Sequence, residues 1–170
     1  FGGNYFAMIR WDPKRLPITP ENGSRFRNMG MEAKRVLNAG RTFEHPVHRH
    51  LAKHIDLVTF YHAEAEAEGR RRFRNVHVYG NGNVARSPGG TGVSALLAML
   101  EGRGDLKDDE VIEVHGLLGK GSYLGRALGH TTVGSQRALR TQIEGRAHLL
   151  GYAKWVIDPK DPLREGYAVG

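Results

Sequence analysis

The sequence predicts an α+β fold, a strongly curved and mostly antiparallel sheet wrapped around one buried central helix. Three observations carry this. The segment from about Gly90 to Glu101 is apolar almost all round, at Val93, Ala95, Leu96, Leu97, Ala98, Met99 and Leu100, and such a helix is buried on every side. Short strand-like runs flank it on both sides in sequence. There is no β-α-β alternation, which argues against a doubly wound parallel sheet.

The elements follow in order. Asn4 to Trp11 reads as a strand closed by the Asp12-Pro13 turn. Thr19-Pro20-Glu21 starts a helix, with proline in the first turn. Phe26, Met29, Ala33, Val36 and Leu37 then recur at helical spacing, and Asn38-Ala39-Gly40 ends the run. Ile55 to His62 alternates as a strand. Phe73 to Tyr79 alternates again and places Phe73, Asn75, His77 and Tyr79 on one face. Beyond Gly104-Asp105 the expected strands are Val111 to His115, Gly121 to Ala127, Thr132 to Leu139, Thr141 to His148 and Gly151 to Ile157. An extended tail with two prolines, Asp158 to Leu163, closes the chain. No repeat or low-complexity tract is visible.

The chain has 170 residues, of which 39% are hydrophobic and 25% charged, the composition of an ordinary globular protein. It begins Phe1-Gly2-Gly3-Asn4 without Met, so a fragment, a processed product and one subunit of something larger are all open. No apolar run approaches the roughly 18 residues that span a membrane, and no signal-peptide pattern is present. The absence of cysteine excludes disulfides, thiolate metal sites and thiol nucleophiles. The net charge of +7 raises nucleic acid as a partner. Much of it comes from Arg70-Arg71-Arg72-Phe73-Arg74, which follows Glu64, Glu66 and Glu68. A solvated hairpin with cross-strand ion pairs accounts for that pattern better than a nucleic-acid patch.

Several motifs fail on context. Gly80-Asn81-Gly82-Asn83-Val84-Ala85 matches the dinucleotide fingerprint after a strand. That fingerprint needs the helix to open within it, whereas Arg86-Ser87-Pro88 intervenes here. Gly116 to Ser122 resembles a phosphate loop loosely, but Gly121 follows Lys120 where a hydroxyl should stand, so turn glycines are the better reading. His45, His48, His50 and His54 cluster without metal-ligand spacing, and Pro46 interrupts any helix. They read as loop histidines. His130 and His148 stand alone.

The run Ser87-Pro88-Gly89-Gly90-Thr91 has more content. Ser87 is able to cap the following helix and Pro88 suits its first position. Gly89, Gly90 and Thr91 then present free backbone N–H groups at the positive end of the helix dipole. Paired glycines let a ligand reach the backbone. The expected guest is a carboxylate or phosphate.

At these residues the chain resembles the proline racemase family, which includes hydroxyproline epimerases and trans-3-hydroxyproline dehydratases. Arg86-Ser87-Pro88, Gly90-Thr91-Gly92 and Ser94-Ala95 fit the family run Asp-Arg-Ser-Pro-Cys-Gly-Thr-Gly-Thr-Ser-Ala. Phe1 to Ala7 resembles the family strand FGGNFFA, and Gly102-Arg103-Gly104-Asp105-Leu106 its helix exit. Gly145-Arg146-Ala147, Gly151 and Asp158 to Leu163 resemble its C-terminal strands and tail. These matches cover only the second half of a family member.

The resemblance implies a diaminopimelate-epimerase-like lobe over residues 1–150, and a C-terminal strand and tail over 151–170 that packs on the missing first lobe. It implies a small imino acid held between two lobes, by its carboxylate, at both helix starts. That first lobe would be supplied in cis or in trans, and a homodimer is a further assembly open to it. The reaction needs no cofactor and no metal, and the implied compartment is cytoplasmic, with no membrane or nucleic-acid partner. Family racemases use two cysteines, one on each face of the α-carbon. Gly89 occupies the position of the second. Ala85 replaces an aspartate that resembles the binder of the substrate amine. Tyr79 falls where an aromatic often packs on the substrate ring, and Leu57 where many epimerases have His. Gly90 and Thr91 keep the backbone cradle. Losing a charged anchor costs about 2–3 kcal/mol of binding, and losing a proton-transfer residue about 10²–10⁴-fold in rate. One-base dehydration is therefore favoured over two-base racemisation. The alternative is a catalytically inactive relative that binds small carboxylates or serves as a scaffold.

Overall fold

A computed structural model describes residues 4–48, 50, 51 and 54–166. In chain order the elements are β1 (Phe6–Arg10), a 3-10 turn (Pro20–Asn22) leading into α1 (Gly23–Asn38), β2 (Leu57–Ala67), β3 (Arg70–Tyr79), β4 (Asn83–Val84), α2 (Gly90–Gly102), β5 (Val111–His115), β6 (Ser122–Val133) and β7 (Gln136–Glu144). One sheet holds all seven strands in the order β1-β2-β3-β5-β6-β7, with the short β4 beside β3. The β1–β2 and β3–β5 pairs are parallel and the other four antiparallel. The fold is α+β with a mixed sheet.

Strand alternation divides the core into two layers. Val58 and Phe60 of β2 and Val76 and Val78 of β3 face α1, where Phe26 packs on them together with Leu16, Ile18 and Leu117. The intervening residues Tyr61 and Phe73 face α2, where they join Val93, Leu96, Leu97, Leu100, Ile112 and Val114. Each large side chain buried in these layers contributes about 1.5–3 kcal/mol relative to an exposed one. Glycines set the approach of each helix. A Cβ at Gly30 of α1 would lie 2.6 Å from the Val78 side chain, and one at Gly125 of β6 would lie 2.8 Å from Val93 of α2.

Four expectations are corrected. The sheet carries a helix on each face rather than wrapping around one alone. Helix α2 is also not enclosed on every side: Gly90, Thr91 and Gly102 are exposed and Ser94, Ala98 and Met99 only half-buried. The sheet covers one side of α2, and no second layer among the described residues covers the other. The expected strand from Thr132 to Leu139 is the end of β6, a turn at Gly134 (φ +59°), and the start of β7. Strand β7 then stops at Glu144, and residues 145–166 form no strand. Their apolar side chains, including Leu150 (95% exposed) and Trp155 (90% exposed), lie bare. A strand exists only against a partner, and none is present for this segment.

The basic hairpin behaves as its charges predict. Arg74 pairs with Glu64 at 2.6 Å and Arg70 with Glu68 at 3.4 Å, while Arg71 reaches Glu110 at 2.5 Å and Arg72 reaches Glu113 at 3.1 Å. No helix is long and apolar enough to cross a membrane among the described residues.

Candidate functional site

The chain approaches α2 through a tightly held loop. Gly80 and Gly82 adopt positive φ (53° and 97°) and turn β3 back into β4, with Gly82 N–H donating to Tyr79 O at 3.1 Å. The glycines of the dinucleotide-like run therefore serve a hairpin. Ala85 N–H donates to His77 O at 2.9 Å. The buried Pro88 then turns its carbonyl towards β3, where Asn75 Nδ2 donates to it at 2.9 Å and His77 Nε2 at 2.6 Å. From another side Gly116, just past β5, presses on the same loop: a Cβ there would lie 2.7 Å from Ser87 C and 2.8 Å from Pro88 N.

The N-cap of α2 is Gly89, with φ +69° and ψ 116° and no side-chain cap. The first turn closes through Val93 N–H to Gly89 O at 2.9 Å. Ser87 does not cap the helix and Pro88 lies outside it, one residue before the N-cap. The left-handed conformation, open to glycine, moves the cap two residues on from the expected hydroxyl. Among the described residues, the N–H groups of Gly89, Gly90, Thr91 and Gly92 find no protein acceptor. Gly90 and Thr91 are exposed. This leaves a row of free donors at a positive helix end, with no acidic residue in the first turn to satisfy it.

His77 supports this turn from beneath. It is 3% exposed, and burial pushes its imidazole pKa down, against a smaller opposing effect of the Pro88 carbonyl. The ring is therefore neutral at pH 7. The carbonyl partner requires a proton on Nε2, so Thr59 Oγ1, 2.7 Å from Nδ1, donates its hydroxyl proton to the other nitrogen. A Cβ at Gly89 would lie 2.7 Å from His77 Nε2, and one at Gly92 would lie 2.2 Å from Cε1. Any side chain at 89 meets both an unfavourable backbone angle and this ring.

The remaining sequence-nominated residues gather at the same end of the sheet. The register Val58↔Val78 and Thr59↔His77 sets Leu57 opposite Tyr79 at the sheet end, on the face that carries His77 and α2. Phe6 of β1 pairs with Leu57, and its ring stands 6.1 Å from that of His77. Ala85 follows β4 opposite His77. Tyr79 is exposed (40%) and Leu57 half-buried. Sequence reasoning missed Asn75, His77, Thr59 and Gly116. The visible clue was two polar side chains, Asn75 and His77, on a strand face that also carries Phe73. Among the described residues, no group of three His, Asp or Glu side chains is placed to hold a metal ion. In the histidine loop, His45 Nδ1 instead accepts the amides of Val47 and His48.

A family model described as "Proline racemase" matches residues 1–168. This chain belongs to the proline racemase family. It is 41% identical over 169 residues to a 4-hydroxyproline 2-epimerase of Cereibacter sphaeroides, covering 99% of this chain and 49% of that protein. It is 35% identical over 167 residues to a proline racemase of Clostridioides difficile, covering 98% and 49%. The structure of a hydroxyproline epimerase from Agrobacterium vitis, with bound trans-4-hydroxy-L-proline, superimposes with a TM-score of 0.76 at 29% identity, over 99% of this chain and 47% of that one. The chain spans about half the length of the relatives it matches. The FGGNYFA match that resembled the family begins at Phe1–Gly3, which lie outside the described residues.

Proposed function

We propose that this chain is one lobe, diaminopimelate-epimerase-like, of a protein that acts on proline or hydroxyproline-like imino acids, and that α2 holds the substrate carboxylate. The observation that carries this is the row of unpaired amides from Gly89 to Gly92 at the open end of the sheet. Gly90 and Thr91 bind the carboxylate, and Tyr79 and Leu57 line the approach for the ring. Residues 151–170 pack on the other lobe, which the bare apolar side chains of Tyr152, Trp155, Val156, Ile157 and Leu163 support.

The chemistry left to this lobe is binding and charge stabilisation. Removing the α-proton places negative charge on the carboxylate, and fixed N–H donors stabilise that charge as it develops. Gly89 has no group to move a proton, so a base on the other lobe must take it. Two-base racemisation then lacks its second residue. In dehydration of a 3-hydroxylated substrate, the same base removes the α-proton, the freed electron pair forms a Cα–Cβ double bond as the Cβ–O bond breaks, and the departing hydroxide takes up the proton held by the base to leave as water. No proton has to be returned to the α-carbon from this side in that step. Ala85 offers no charge to the imino nitrogen, which favours a second reading: an inactive relative that binds carboxylates.

The test uses the complete protein that carries this chain, incubated in D2O with proline and each 3- and 4-hydroxyproline isomer. Pyrroline-2-carboxylate formation from a 3-hydroxyproline, with deuterium entering at C3 as the enamine tautomerises, is the expected result. Binding without exchange or turnover supports the inactive relative. Neither binding nor turnover with any isomer rejects both readings.

A further inference from the structure

Within that carboxylate-binding reading, one buried cluster has a role of its own. Asn75 and His77, 1% and 3% exposed, both donate to the single carbonyl of Pro88. That oxygen thus accepts two hydrogen bonds, and both donors come from β3. The Pro88–Gly89 peptide is trans, and a planar trans peptide points its N–H opposite to its C=O. With the carbonyl fixed towards β3, the Gly89 N–H faces away from the sheet. It has no protein acceptor among the described residues. Donors on a carbonyl also polarise the N–H of the same peptide.

We propose that His77, assisted by Asn75, is a positioning residue that turns the Gly89 amide outward as a third donor for the carboxylate, beside those of Gly90 and Thr91. The ring takes the room that a side chain at 89 would need. A position able to carry a side-chain group is thereby given over to a backbone one. Thr59 completes the device by donating to Nδ1, which leaves the proton on Nε2. The proposal concerns orientation and binding; His77 itself does not reach the substrate.

The sequence offers a direct probe. Pro88-Gly89 is the only Pro-Gly step in residues 1–170, so labelling with carbonyl-13C proline and 15N glycine selects the Gly89 amide within this chain, and its loss in Pro88→Ala identifies it in the complete protein. In the complete protein, titration with pyrrole-2-carboxylate should move this resonance downfield and saturably. His77→Leu keeps the volume but removes the donor, and should weaken binding about ten-fold or more. His77→Gln keeps both volume and donor, and should recover most of the loss. Binding that moves the Gly90 and Thr91 amides but not that of Gly89 overturns this inference and leaves the carboxylate reading standing. So does equal affinity of the Leu and Gln variants, which would make His77 packing alone. Absence of binding to the wild type overturns both. Should His77→Leu fail to fold, the wild-type Gly89 titration decides.

Discussion

Gly89 and Gly90 are neighbours with opposite tolerances. A side chain at Gly89 meets φ +69° and the His77 ring 2.7 Å away, whereas a Cβ at Gly90 meets nothing within 4 Å. Gly89→Cys, the residue that the family resemblance puts at this position, should therefore destabilise the protein by about 1–3 kcal/mol. Adding His77→Ala to it should recover part of that loss, which denaturant unfolding of both variants reads. Gly90→Asp should do the reverse. An acid in the first turn stabilises a helix by about 0.3–1 kcal/mol, so Tm should hold or rise while carboxylate affinity falls. The buried histidine also sets a pH dependence. His77 and the half-buried His62 both have imidazole pKa values lowered by burial. Between the lowered folded value and the unfolded value near 6.5, the unfolded chain binds more protons than the folded one. Stability should fall as pH drops below about 6.5, and His77→Gln should flatten that slope in part. A slope unchanged by the substitution would contradict the buried neutral ring.

At the level of elements, the helices and β2, β3 and β5 were legible because their apolar periodicity is strong. Phe26, Met29 and Ala33 mark the α1 face that packs on the sheet, and Val76 and Val78 alternate with Asn75 and His77 along β3. Helix α2 begins at Gly90 as expected, but its cap was read two residues early, since Ser87 and Pro88 carry the usual sequence marks of a cap. Nothing local to them reveals that β3 pulls the Pro88 carbonyl inward. Gly116 was read only as a turn glycine, yet it carries a close contact between β5 and residues 86–88. That contact depends on a neighbour some thirty positions away, which periodicity does not report. Gly30→Ala and Gly116→Ala separate the two roles. The first should cost about 1–3 kcal/mol through overpacking against Val78, with carboxylate affinity kept. The second should weaken carboxylate binding as well, because it displaces backbone that leads into α2. Calorimetric titration beside thermal unfolding distinguishes them.

Across the whole molecule, the sequence supported the family and the half-length match, and the structure shows what is left open. The sheet covers α2 on one side, the row of amides opens at the sheet end, and residues 145–166 carry exposed Leu, Tyr, Trp, Val and Ile side chains. The strand expected at Gly151 to Ile157 was read from apolar alternation alone, and residues 145–166 form no strand, because no strand among the described residues pairs with them. In the complete protein, Trp155→Ser should therefore destabilise the assembly by about 2 kcal/mol or more, as thermal unfolding would show. No change would mean that the tail is bare there too. The central claim is that free backbone amides at the mouth of α2 hold a small carboxylate where the family thiol is absent. Calorimetric titration of the complete protein with pyrrole-2-carboxylate, wild type beside Gly90→Asp, tests it most directly. The account predicts saturable binding that the aspartate abolishes while the fold persists; equal binding by both proteins, or none by the wild type, would contradict it.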